Sequence, residues 1–184
     1  DPQGAPHAHL CGPDGWLATF VLDEALRPDA AATITRLHAA GLQTRLLSGD
    51  HLQAAQRLAQ AVGIGQVVAG ASPEQKLHDV QALQARGLRV AMVGDGLNDA
   101  PVLARADTSL ALGHALPLAQ AQSDFVLQGG RLGDVADAFL LSRDTMRIVR
   151  QNLVWAAVYN AVCVPLALIG WMPPWLAGLG MAGS

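Results

Sequence analysis

The chain has 184 residues, a formal net charge of −3 and only 15% charged residues, a balance that leaves no basic footprint for nucleic acid. Hydrophobic residues make up 51% and mean hydropathy is +0.27, high for a soluble domain. The excess is local, because no residue from Gln151 to Ser184 is charged, and the two cysteines (Cys11 and Cys163) suggest no disulfide framework.

In chain order, residues 1–14 are polar and rich in Pro and Gly and read as a linker. They also carry His7, His9 and Cys11 at single-residue spacing, the residue types of a metal site. Trp16–Leu22 reads as a strand. Arg27-Pro28-Asp29 opens a helix, with Pro at the first position and an acid in the first turn, and Gly41 closes it. Leu42–Leu47 predicts a second strand, followed by Ser48-Gly49-Asp50, with Asp50 as a cap for a helix that Gly63 stops.

Ile64–Ala69 predicts a third strand. Ser72-Pro73-Glu74-Gln75 predicts a capping box ahead of a helix carrying Lys76 and ending at Gly87. Val90–Val93 is short and branched, as expected of a strand buried on both faces. Gly94 and Gly96 would turn the backbone after it, leaving Asp95 at the strand's carboxyl end. A short helix near Pro101–Ala106, a strand at Asp107–Leu112, an Ala-rich helix and a last strand at Phe125–Leu127 follow. The alternation predicts an α/β fold, a doubly wound parallel sheet over residues 15–130.

From Arg131 the pattern changes. Leu132, Val135, Phe139, Ser142, Met146, Val149 and Leu153 alternate steps of three and four, predicting a helix over 131–151. Residues 152–170 are uncharged and long enough to cross a bilayer. Trp155, Trp171 and Trp175 stand near the ends, and Arg143, Arg147 and Arg150 just before it predict a cytoplasmic α/β domain. Pro173-Pro174 marks a turn, and 171–184 reads as that turn plus the start of a returning span. Both chain ends are expected to be cuts, since Asp1 is not Met and Ser184 stands inside an apolar segment.

The loops after the strands carry related chemistry. Ser48 and Gly49 offer a hydroxyl and backbone N–H groups to a phosphate oxygen. Lys76 offers a cation for a phosphoryl group, and Asp95 and Asp99 offer hard oxygens for Mg²⁺. Singly, each has a plainer role: a turn serine, a solvated lysine in the first turns of its helix, a turn plus a helix cap. Their order along successive strands favours one shared site at the carboxyl edge.

Ser48-Gly49-Asp50, Pro73-Glu74-Gln75-Lys76 and Gly94-Asp95-Gly96-Leu97-Asn98-Asp99-Ala100-Pro101 together resemble the haloacid-dehalogenase-like (HAD-like) phosphorylation domain of P-type ATPases. Leu26-Arg27-Pro28-Asp29 and Ala106–Gly113 are similar to stretches of the heavy-metal-transporting (P1B) branch. The resemblance implies an Mg²⁺ ion at Asp95, supported with the phosphate by Asn98 and Asp99, and an acyl phosphate bound by Lys76 and the Ser48–Asp50 loop. The family usually has Thr where this chain has Ser48, and the hydroxyl is kept. It implies ATP as substrate, with 131–151 as a stalk helix and 152–170 as a transmembrane helix of a multi-pass protein of the cytoplasmic membrane. Implied partners are membrane lipid, the amino-terminal parts of the same ATPase and a copper chaperone.

The family's phosphorylated Asp, in D-K-T-G-T, is not among these residues. Asp23 follows an early strand but lacks the succeeding Thr and reads as a loop carboxylate, so the chain alone is expected not to hydrolyse ATP. Asn152, Tyr159, Asn160 and Pro165 resemble the pattern of copper(I) transporters, and Met181 with Ser184 is similar to the start of their next pattern. The resemblance thus implies a Cu(I) pathway at Tyr159, Asn160, Met181 and Ser184, where a thioether suits a soft ion. Alternatives are another heavy metal such as Zn²⁺, a catalytically inactive membrane-anchored regulatory module, and a soluble phosphatase.

Overall fold

The computed structural model describes residues 7–13, 15–21, 25–95 and 97–170. The chain divides into two units, Asp1–Asp137 and Ala138–Ser184. Asp23, Gly96, Trp171, Trp175, Met181 and Ser184 lie outside the described residues.

The first unit opens on a hairpin. Strand β1 (His7–Gly12) pairs antiparallel with β2 (Gly15–Val21), with a bulge between Leu10 and Cys11. Six residues of the segment 1–14 expected to be a linker therefore form a strand. The His-x-His-x-Cys spacing is strand alternation, which puts every second residue on one face. His7 and His9 stack with ring centroids 6.3 Å apart, and His9 Nδ1 shares a 2.8 Å hydrogen bond with Thr19 across the hairpin. No group of three or more metal-ligating side chains occurs among the described residues.

Helices and strands then alternate in the order expected. Helix α1 (Ala30–Ala39) starts two residues later than the sequence suggests, with Asp29 as the N-cap residue and not in the first turn. Strand β3 (Arg45–Leu47), α2 (Leu52–Val62), β4 (Gln66–Val68) and α3 (Pro73–Ala85) come next. Then follow β5 (Ala91–Gly94), a 3₁₀ turn at Leu97–Asp99, α4 (Ala100–Leu103), β6 (Thr108–Leu112), α5 (Pro117–Ala121) and β7 (Phe125–Leu127). The capping box forms: Ser72 Oγ accepts from Gln75 N–H at 3.2 Å and Gln75 Oε1 from Ser72 N–H at 2.8 Å. Asp50 does not cap α2, whose N-cap residue is His51.

Every α/β-domain pairing is parallel, but among the described residues the strands form two sheets, β3-β4 and β5-β6-β7. Strand β5 is thus an edge strand, half-buried to exposed, and not the doubly buried strand its composition suggests. The buried strand is β6, whose Ser109–Leu112 are all enclosed. The short branched run of β5 is suited to a neighbour on both sides, and only one is described.

Two small cores hold the unit. Leu103, Ala111, Ala115 and Ala119 pack with Met92 around β6, while Ala30, Ile34 and Val62 join α1 to α2 with Leu37, Ile64 and Leu132. Asp107 fastens the start of β6 to its neighbours, accepting from Val90 N–H, Gln84 Nε2 and Arg89 Nη1 at 3.0 Å each. Gly113, at the end of β6, has no room for a side chain: a Cβ there would stand 2.9 Å from Gln128 O and 3.0 Å from Leu127 O. Because those are backbone atoms of the adjoining β7 turn, Gly113→Ala is expected to destabilise the domain by about 1–3 kcal/mol. The expected readout is a lower urea midpoint by circular dichroism with an unchanged m-value.

The helix α6 runs unbroken from Gly133 to Leu168, 36 residues. The separate stalk and transmembrane helices expected from the sequence are one helix, because the arginine-rich turns between them contain no breaker. Its start is packed: Ala136 is fully buried and Leu132 joins the α1–α2 core. Farther on, Met146, Leu153, Val154, Trp155, Val158 and Leu168 are exposed, so the three-four seam packs only at its beginning among the described residues. The helix is long and apolar enough to cross a membrane, with a window of mean hydropathy 1.3 that is 0% buried. That exposure argues against a core helix, which would be enclosed.

Candidate active site

The first side-chain pair of the site is built by α3 and the turn after β5. Lys76 stands in the second turn of α3, where the capping box fixes the helix start. Asp99 ends the 3₁₀ turn, 23 residues later in sequence. Lys76 Nζ donates to Asp99 Oδ1 at 2.8 Å, and the two side chains are only 12% and 16% exposed. A solvated lysine would be far more open, so the plainer reading of Lys76 is excluded. Charged side chains are seldom enclosed unless paired, and this pair is.

Gly94 makes that pairing possible. Its φ is not positive, and its role is close approach: a Cβ there would stand 2.9 Å from Asp99 Cβ and 3.2 Å from Asp99 Oδ2. The turn therefore folds back against the strand end and carries Asp99 toward Lys76. Asp95 follows directly after β5 and is the open carboxylate, 54% exposed. Its carbonyl accepts from Leu116 N–H at 3.1 Å, which ties the β5 loop to the loop after β6.

Ser48 follows β3 as expected. Its hydroxyl donates to Asp50 Oδ2 at 2.5 Å and accepts from Asp50 N–H at 3.1 Å. The loop is bound to the segment that starts α3: Ala71 N–H donates to Ser48 O at 2.9 Å and Gly70 N–H to Asp50 O at 2.8 Å. Ser48–Asp50 and Lys76 thus belong to one hydrogen-bonded assembly through Ala71 and Ser72. Lys76 touches Asp99, while Asn98 and Asp95 adjoin that pair by chain position.

Two residues near Asp95 escaped the sequence reading as site residues. Arg27 Nη2 is 4.0 Å from Asp95 Oδ2 and donates to His114 Nε2 at 2.6 Å, and His114 Nε2 is 3.9 Å from the same carboxylate oxygen. Arg27 Nη1 also donates to Gly130 O at 2.8 Å. His114 stands just past the carboxyl end of β6, the position by which Ser48 and Asp95 were found, so the same edge rule would have reached it. Arg27 precedes α1, and only the fold brings it there.

Asp95, Asn98 and Asp99 each carry a hard oxygen donor; the Asp95 carboxylate is half open and Asp99 is paired with the Lys76 cation. That is the chemistry of a Mg²⁺ site, which needs one or two carboxylates and takes further ligands from substrate phosphate and water. Lys76 adds a positive charge close by, and the Ser48–Gly49 turn adds a hydroxyl and backbone N–H groups.

Residues 10–107, more than half of the chain, match the haloacid dehalogenase-like hydrolase family. The chain belongs to that family. It is 42% identical over 178 residues to the "Probable copper-exporting P-type ATPase V" of Mycobacterium tuberculosis H37Rv, covering 96% of this chain and 23% of that protein. It is 39% identical over 172 residues to the copper-exporting P-type ATPase of Bacillus subtilis 168, covering 93% and 21%. The solved structure of a zinc-transporting PIB-type ATPase in the E2.Pi state superposes with a TM-score of 0.82 at 32% identity, over 98% of this chain and 30% of that one. The chain therefore spans about a quarter of the length of the curated relatives it matches. The HAD-like domain is followed by a helix long and apolar enough for a membrane.

Proposed function

We propose that the chain is the carboxyl-terminal part of an ATP-driven heavy-metal exporter, with Cu(I) as the transported ion, working through an aspartyl-phosphate intermediate. The observation that carries this reading is the Lys76–Asp99 pair beside the open Asp95 carboxylate at the carboxyl edge of the strands. The nucleophilic Asp is placed on a strand supplied by the rest of the ATPase. One observation supports that placement: among the described residues β3 and β5 are not hydrogen-bonded to each other, and β5 pairs on one side only, with β6. A parallel strand between them would end level with Ser48 and Asp95.

Mg²⁺, held by Asp95 and Asp99 with Asn98, would neutralise charge on the phosphoryl oxygens. Lys76 would complement the charge on the transferred phosphoryl group while steadying Asp99. The Ser48 hydroxyl and the Gly49 N–H would orient a phosphoryl oxygen, with Asp50 fixing the rotamer of Ser48. ATP is bound by a nucleotide domain elsewhere in the protein.

Arg143, Arg147 and Arg150 precede the uncharged part of α6 and support a HAD-like domain on the cytoplasmic side of a multi-pass membrane protein. The Cu(I) path uses Tyr159 and Asn160 of α6 with Met181 and Ser184 beyond it. Tyr159 is half-buried, while Asn160 is exposed on the helix. Soft thioether chemistry and the copper-exporting relatives support Cu(I). The zinc-transporting structure keeps Zn²⁺ as the second reading. In the full-length protein reconstituted in vesicles, Cu(I) is expected to stimulate ATP hydrolysis at least about tenfold more than Zn²⁺, a margin worth roughly 1.4 kcal/mol. Stimulation by Zn²⁺ alone would reverse the ion assignment.

A further inference from the structure

Arg27, Pro28 and Asp29 reach two places at once. Arg27 stands at Asp95 and His114 and grips Gly130 O. Asp29 Oδ2 accepts from Gly133 N–H at 2.9 Å, the first residue of α6. Gly133 N–H is one of the donors a helix start leaves without an intrahelical partner, and a carboxylate there also complements the positive end of the helix dipole. That N–H is the main cause holding the Asp29 carboxyl below the usual carboxylate range.

The linkage is stiff. Pro28 fixes its own φ, and α1 locks the backbone on both sides: Ala30 N–H donates to Arg27 O at 3.0 Å and Thr33 N–H to Asp29 O at 2.9 Å. Two turns farther along α1, Arg36 pairs with Asp137 at 2.5 Å, one turn into α6. The loop between β7 and α6 is thus held by Arg27 at Gly130 and by Asp29 at Gly133, and α6 is fastened again at Asp137.

We infer that Arg27-Pro28-Asp29 is a transmission element, joining the charge at Asp95 to the first turn of the apolar helix α6, with Asp29 as its positioning residue. The inference rests on the proposed transporter reading. When a divalent cation and a phosphoryl group gather at Asp95, the guanidinium 4.0 Å away meets a changed field. Its two other bonds, to Gly130 O and His114, then carry the response into the loop that leads to α6. Asp29 makes that response a movement of the helix rather than a slackening of the loop. Arg36–Asp137 is half-exposed on both partners, so it adds alignment more than stability.

The test is made on the full-length ATPase in proteoliposomes, measuring phosphoenzyme formed from ATP, ATP hydrolysed, and metal ion moved per ATP. Asp29→Ala is expected to form phosphoenzyme at the wild-type level within twofold while ions moved per ATP fall at least fivefold. An unchanged ratio overturns the inference, and so does a parallel loss of phosphorylation and transport. Should Asp29→Ala not fold, Arg36→Gln decides by the same readouts and the same criteria, since its exposed pair contributes little to folding. Asp95→Ala beside them tests the underlying reading separately: phosphoenzyme turnover that survives in Asp95→Ala removes the site assignment, whatever Asp29 does.

Discussion

Asp95→Asn in the full-length ATPase is expected to lower metal-stimulated ATP hydrolysis by about 10²–10³-fold or more, the loss typical of one preorganised electrostatic group at a phosphoryl-transfer site. The change is nearly isosteric, yet it removes the negative charge that attracts a hard cation and leaves an amide oxygen, a weaker ligand. Stability should hardly move. Asp95 is 54% exposed and its cationic neighbour Arg27 is 4.0 Å away, so the lost attraction is worth less than about 1 kcal/mol. Leu116 N–H bonds the Asp95 carbonyl, which the substitution keeps. The pairing of a large activity loss with an unchanged thermal midpoint is the signature sought. Hydrolysis within tenfold of wild type at saturating Mg²⁺ would mean that Asp95 is a turn residue after all.

The contrast between Asp95 and its surroundings shows what the sequence could convey. Order along the chain was enough to place Ser48 and Asp95 just after strands and Lys76 near the start of the helix that follows β4, because α/β steps put every such loop on one edge. The Ser72–Gln75 capping box was legible because it is a purely local hydrogen-bond exchange. Lys76 was located correctly, but its burial was not legible: that depends on Gly94 letting Asp99 fold back, a contact 23 residues from the lysine. Arg27 was seen only as a helix opener, since its contacts with Asp95, His114 and Gly130 span 68 residues or more of sequence.

Two misreadings have the same physical root. His7–Gly12 reads as part of a linker, although its spacing of two is what a strand produces. In β5, a branched apolar run was taken to mean burial on both faces. The run specifies a strand that suits two neighbours, while burial depends on which neighbours are present, and one side of β5 is open among the described residues. Composition reports what a segment is compatible with; partners decide what it becomes.

Lys76 offers the sharper experiment, because its structural and catalytic roles separate. Lys76→Met leaves Asp99 16% exposed and without its cation, and an enclosed carboxylate that loses its partner costs about 1–3 kcal/mol, below the range for fully buried pairs. Adding Asp99→Asn removes the stranded charge, so the double variant is expected to recover at least half of the lost stability. That recovery is a coupling energy measurable by a thermodynamic cycle in urea. ATP hydrolysis in the full-length protein should behave in the opposite way. Lys76→Met is expected to lose about 10²-fold, and the double variant no less, because restoring the fold restores neither the positive charge at the phosphoryl group nor the Asp99 carboxylate. Lys76→Arg keeps the charge but exchanges a compact ammonium for a planar fork in a site shaped around Gly94, so an intermediate loss of about tenfold is expected. If the double variant regained hydrolysis along with stability, Lys76 would be only the partner that keeps Asp99 in place.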